Sequence, residues 1–164
     1  MATSVHTERS GRVLVATLSR PPVNALDDRL IAQLHAVLDA AIADDGVALL
    51  HIRSDQRVFC AGADLALIRD CFATPQGPHA MTDLVRQMQR LYARLEAAPL
   101  TTLAEIEGAA LGGGLELALA CDLRVAALEA TLGLPVASLG LLHGAGGTRP
   151  ARLDARAMIQ QYDR

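Results

Sequence analysis

Short apolar runs of strand character alternate along this chain with longer stripes at helical spacing, and no other feature restricts the fold as much. Val13–Leu18 is an apolar run that ends at Arg20-Pro21-Pro22, a strand entering a turn. Asp27 or Asp28 then offers an N-cap, and Leu30, Ile31, Leu34, Val37, Leu38, Ala41 and Ile42 follow as one helical stripe, stopped at Gly46. Val47–Ile52 is nearly continuous in apolar residues, the pattern of a strand covered on both faces. Thr74–His79 reads as a loop. Met81, Leu84, Val85, Met88, Leu91, Tyr92 and Leu95 line a second helix that closes before Pro99. That spacing assigns the stripe, both methionines included, to core packing rather than to a cofactor box. A strand at Thr101–Ile106, a short helix at Leu115–Ala120 and a strand at Leu123–Ala126 complete the series. Strands separated by helices imply an α/β fold with crossover connections, and ligands near the C-terminal ends of the strands.

Composition narrows the functional classes. The 164 residues suit one compact domain, or one domain with a short appendage. A formal net charge of −3 gives no footprint for nucleic acid or an anionic membrane, and four aromatic side chains leave little for base stacking. Three scattered cysteines make no disulfide framework and point to a reducing compartment. The polar stretch Met1–Arg12 lacks the apolar core of a signal peptide, and glycines or Glu116 interrupt the longest apolar runs. The expectation is a soluble, cytoplasmic protein with no nucleic-acid and no membrane partner.

Several familiar sites fail on spacing. Gly144-Ala-Gly-Gly-Thr-Arg149 has arginine where a dinucleotide fingerprint needs its last glycine, and no phosphate-loop pattern occurs. Val136 occupies the first glycine position of a nucleophile elbow around Ser138. The histidines at 6, 35, 51, 79 and 143 show no metal-ligand spacing, so no metal is expected. His35 and His51 fall within a helix and a strand pattern and read as structural. Cys60 and Cys121 read as small buried hydrophobes. Phe59-Cys-Ala-Gly-Ala-Asp64 and Leu111-Gly-Gly-Gly-Leu-Glu116 remain. Each puts small residues at a strand end just before a helical turn, where N–H groups converge unpaired, the makings of an oxyanion hole. Glu116 follows Gly113 by one helical turn, which suits proton abstraction next to a carbonyl. Spacing alone makes Glu116 equally a solvated helix residue.

Five ordered motifs sharpen this reading: Arg20-Pro-Pro-Val-Asn-Ala-Leu26, Phe59-Cys-Ala-Gly-Ala-Asp-Leu65, Ile106-Glu-Gly-Ala-Ala-Leu-Gly-Gly-Gly-Leu-Glu-Leu117, Cys121-Asp-Leu-Arg124 and Gly140-Leu-Leu-His-Gly-Ala-Gly-Gly-Thr148. Together they resemble the enoyl-CoA hydratase/isomerase (crotonase) superfamily. The resemblance implies a crotonase-like spiral of ββα units, C-terminally shortened. Residues 1–148 would be an acyl-CoA-binding core and 149–164 a divergent, mobile tail. It further implies an acyl-CoA thioester as partner, coenzyme A as part of the substrate with no separate cofactor, and a homo-oligomer. Ala61 and Gly113 would supply the oxyanion-hole N–H groups. Ala25, Ala63, Asp64 and Leu65 would lie along coenzyme A, largely through their backbones, and Glu116 matches the first catalytic glutamate. The second catalytic glutamate of the hydratases, in a Pro-Glu pair, falls at Pro135-Val136, where the carboxylate is absent. His143 stands where the family usually has proline. Members continue into helices that cover the acyl pocket, and the resemblance implies that these are missing here. The resemblance implies enolate chemistry on the thioester or, alternatively, a truncated, inactive acyl-CoA-binding or subunit-interaction remnant.

Overall fold

The computed structural model describes residues 3–73 and 77–134. Val136, His143 and the expected tail at 149–164 lie outside the described residues. The elements in chain order are β1 (Val5–Ser10), β2 (Val13–Leu18), α1 (Asp28–Ala43), β3 (Leu49–Ser54), α2 (Leu65–Phe72), α3 (Gly77–Glu96), β4 (Thr101–Ile106), β5 (Ala110–Leu111), α4 (Gly113–Leu119), β6 (Leu123–Ala126) and β7 (Leu132–Gly133). A five-stranded sheet runs in the order β1-β2-β3-β4-β6, antiparallel at β1–β2 and parallel elsewhere, and β5 and β7 pair in a small second sheet. The α/β expectation holds.

The helix stripes are buried at most of their positions, the exceptions being Ile42, which is exposed at the end of α1, and Met81 and Val85, which are half-buried. Asp27 caps α1 by accepting from Leu30 N–H at 2.8 Å, and Leu30, Ile31, Leu34, Val37, Leu38 and Ala41 are buried. Leu84, Met88, Leu91, Tyr92 and Leu95 of α3 join them in one core with Leu50, Ile52, Ala104 and Ile106 of the sheet. Met88 is thus a core residue, as its spacing implied.

Four local expectations are corrected. First, β1 is a strand although its sequence, VHTERS, is polar; it is an edge strand that buries only Val5, so it carries no apolar alternation. Second, α1 ends at Ala43, before Gly46, because Asp44 turns the chain by accepting the Gly46 N–H on its side chain (2.8 Å) and the Val47 N–H on its carbonyl (2.8 Å). Third, β3 is shifted to Leu49–Ser54 and is covered on one face. Leu50 and Ile52 are buried against the helices, whereas His51 is half-buried and Arg53 exposed. Fourth, the expected loop at Thr74–His79 gives way to α3 at Gly77, and the short helix around Glu116 begins on Gly113 rather than Leu115.

The parallel register decides where the motifs meet. Leu18 pairs with Ser54, and Ile106 with Ala126, so β2, β3, β4 and β6 end along a single edge of the sheet. The segments 19–27, 55–64 and 107–112 all leave from that edge.

Candidate active site

The first strand-end loop is pinned by Asn24, a fully buried residue with φ of +49°. Asparagine tolerates this left-handed backbone better than most residues. Its side chain accepts from Arg20 N–H (2.7 Å) and donates to Ser54 Oγ (2.7 Å) and to the Phe59 carbonyl (3.0 Å). The loop is thereby tied to the end of β3 and to the second loop. Arg20 reinforces the tie from its side chain, pairing with Asp27 at 3.1 Å and with Asp64 at 2.6 Å.

The second loop lies between the first loop and β5. On one side Leu26 N–H donates to the Gly62 carbonyl (2.8 Å), Asp64 N–H to Leu26 (3.0 Å) and Ala61 N–H to Val23 (3.0 Å). On the other, Phe59 N–H donates to the Ala109 carbonyl (2.9 Å), and Leu111 N–H to Cys60 (3.0 Å). Gly62 has φ of +92°, and a Cβ there would stand 2.8 Å from the Leu111 carbonyl oxygen and 3.2 Å from the Gly113 nitrogen. Only glycine permits that approach. The Phe59–Asp64 loop and the start of α4 are therefore in direct contact.

Glu116 sits in the first turn of α4 and is only 7% exposed. The structure resolves the alternative that spacing left open, because this is not a solvated helix position. Gly113 is the first helical residue, whose N–H has no carbonyl within the helix to receive it. Tyr92, 3% exposed, donates from its hydroxyl to the Gly113 carbonyl at 2.7 Å. Burial, with Cys60 and Glu116 nearby, holds the Tyr92 phenol well above its ordinary pKa, so it remains a donor. Burial also pushes the Cys60 and Cys121 thiols up to about 12, which leaves neither as a thiolate nucleophile.

These loops belong to a known pattern. The sequence profile of the enoyl-CoA hydratase/isomerase family matches residues 8–153. The chain belongs to this family. It is similar to a probable enoyl-CoA hydratase of Bacillus subtilis (strain 168), with 42% identity over 137 residues that make up 84% of this chain and 52% of that protein. A 2,3-dehydroadipyl-CoA hydratase of Escherichia coli (strain K12) is 42% identical over 144 residues, 86% of this chain and 53% of the relative. Among solved structures, an enoyl-CoA hydratase from Bacillus anthracis superposes with a TM-score of 0.82 at 30% identity, covering 92% of this chain and 57% of the other. The fold is the crotonase fold of this family. The chain spans about half the length of the curated relatives it matches.

Of the residues singled out in the sequence, Ala25, Ala61, Ala63, Asp64, Gly113 and Glu116 lie on the strand-end loops or the helix that follows them. Leu65 opens α2 and is 60% exposed. Two of these residues already have partners within the chain. Ala61 N–H is not an open donor, because the parallel run of the first two loops assigns it to the Val23 carbonyl. Asp64 has its own structural work: it caps α2 through Ala66 N–H (2.9 Å) and Leu67 N–H (3.3 Å) while pairing with Arg20. Partial burial opposes its charge, but the Arg20 hydrogen bond and the two N–H groups outweigh it, so its carboxyl is held below the ordinary range.

His51 Nε2 lies 2.7 Å from Glu105 Oε2, and His35 Nδ1 lies 2.8 Å from Arg94 Nη1, so both histidines have protein partners. Among the described residues no three potential metal ligands cluster, and no helix is long and apolar enough to cross a membrane. Arg20, Asn24 and Tyr92 were not identified as site residues from the sequence. Two of them lie inside the Arg20–Leu26 motif, which was the available signal for their role. Tyr92 sits in an apolar helical stripe, which gave no signal for its hydroxyl.

Proposed function

We propose that this chain binds an acyl-CoA thioester at the strand-end edge and promotes enolate formation, with Glu116 as acid/base. The buried carboxylate of Glu116, one turn beyond Gly113 on a helix packed against the Gly62 loop, carries this reading. In the proposed step the Glu116 carboxylate takes the α-proton and the electron pair moves onto the thioester oxygen. Gly113 N–H stabilises that oxygen, and Glu116 returns a proton. Ala61 joins as a second donor by sharing its N–H between the Val23 carbonyl and the thioester oxygen, a three-centre bond. Ala25, Ala63, Asp64 and Leu65 would lie along the coenzyme A moiety, which enters as part of the substrate. Because position 136 is valine, hydration of a double bond, which needs a second carboxylate to manage the water, is expected to be slow.

Deuterium exchange at the α-carbon of butyryl-CoA in D₂O, followed by NMR, tests the proposal. Wild-type protein should catalyse the exchange, and Glu116→Gln should lower its rate by about 10²–10⁴-fold. Equal rates in the two proteins would remove Glu116 from the mechanism. A second reading, acyl-CoA binding without turnover, is favoured by the hydrogen bond that already engages Ala61 N–H. It predicts calorimetric binding of butyryl-CoA with no exchange.

A further inference from the structure

Helix α4 cannot hold its own first turn. It has seven residues, opens on Gly113 and Gly114, and its N-cap, Gly112, makes no side-chain hydrogen bond. Glycine is a poor helix former, and a helix this short gains little from its own hydrogen bonds. Yet this turn carries both Gly113 and Glu116. Support comes from α3. A Cβ on Gly113 would stand 2.5 Å from Met88 Cε, 3.1 Å from Leu26 Cδ1 and 3.4 Å from the Tyr92 hydroxyl. Among these neighbours Tyr92 alone makes a directional contact, its hydroxyl donating to the Gly113 carbonyl at 2.7 Å across 21 residues of sequence.

We infer that Tyr92 is a positioning residue for this site. Its hydroxyl fixes the peptide that follows Gly113, and so fixes where Gly113 N–H and Glu116 stand relative to one shared thioester. The inference rests on the function proposed above and adds a residue that the five motifs do not contain. Geometry supports it: the carbonyl that Tyr92 holds lies one Cα away from the proposed N–H donor, and the helical backbone of Gly113 relates the two peptides, so anchoring one restrains the turn that carries both. The phenol remains protonated at neutral pH because it is buried and faces Glu116 and Cys60, so the contact is permanent rather than switched. Tyr92 acts through Gly113 and does not itself touch the reacting atoms.

Tyr92→Phe keeps the ring and removes only the hydroxyl. The readout is the absorption band of the coenzyme A thioester of 4-dimethylaminocinnamic acid, which shifts to the red when its carbonyl is polarised. Wild-type protein is expected to bind this probe and shift its band. Tyr92→Phe should lose most of the shift at saturation while Kd stays within about threefold, since uniform binding is little affected. Val37→Ala in α1, a cavity variant away from the site, controls for general loosening and should keep the full shift. A full shift in saturated Tyr92→Phe overturns the inference and leaves the proposed function standing. Loss of the shift in both variants also overturns it, since any destabilisation would then suffice. A wild-type protein that does not bind the probe, or binds it without a shift, overturns the proposed function, and the inference with it.

Discussion

Where the parallel strands begin, Arg12, Asp44, Asp45, Thr101 and Asp122 line an open hollow of about 610 Å³. Where the same strands end, three loops, two of them bearing glycine, press together near the buried Glu116. Carboxylates at the first edge serve the chain itself. Asp44 accepts from Gly46 N–H and pairs with Arg9, and Asp122 accepts from Thr102 N–H and Oγ1, both at 3.0 Å. At the second edge the local hydrogen bonds fasten loop to loop, through Asn24 and Arg20, and hold the Gly113–Glu116 turn at a fixed place. A hollow with charges and a buried carboxylate beside a tightly braced turn are thus distinct settings, and the chemistry proposed above falls to the second.

The strongest way to break this contrast is to exchange the carboxylates one at a time. Glu116→Gln should slow α-proton exchange by about 10²–10⁴-fold, while Asp45→Asn at the opposite edge should leave the rate unchanged. A comparable loss in Asp45→Asn would mean that the chemistry sits in the hollow. Bracing comes next. Asn24→Ala removes the side-chain acceptor of the Arg20 N–H, the donor to the Phe59 carbonyl and one of the partners of the Ser54 hydroxyl, at a cost of about 1–3 kcal/mol in urea unfolding. A loss no larger than that of an exposed substitution would show that the loops are held by packing alone.

A smaller effect should follow from the Arg20 pairings. Arg20→Gln is expected to weaken acyl-CoA binding by about two- to fivefold, the scale of a partly exposed ion pair. Unaltered calorimetric affinity would separate this clamp from the site. Asp64 adds a pH dependence. Its folded-state pKa is depressed, so its stabilisation is complete above the unfolded value of about 3.9 and is lost as pH falls through the lower folded value. Melting temperatures measured downward from pH 5 should fall less steeply in Asp64→Asn than in wild type. The smallest change is expected for Asp44→Asn, whose partners are exposed. It should melt close to wild type and bind acyl-CoA identically.

The periodic elements were legible from the chain because their signal is local. The stripes of α1 and α3 and the apolar run of β2 each report one buried face, and that face is where they pack. The strand β1 was not legible, since an edge strand paired on one side needs little apolar surface. The motifs located the site's backbone but not its state. Whether Glu116 is solvated or buried depends on how α4 packs, and Gly62 and Tyr92 come to the first residue of α4 from distant parts of the chain. That Ala61 N–H is already engaged depends on how closely two loops lie side by side, a distance no spacing in the sequence encodes.

The order of five motifs, the absence of a carboxylate at position 136 and the α/β class were thus determined by the sequence alone, because each is a matter of residue identity or period. Tertiary structure decided that the strand ends share one edge, that Glu116 is enclosed there, and that a tyrosine from an apolar stripe braces the turn before it. These follow from contacts between residues far apart in the chain, and burial and hydrogen-bond partners exist only once those contacts have formed.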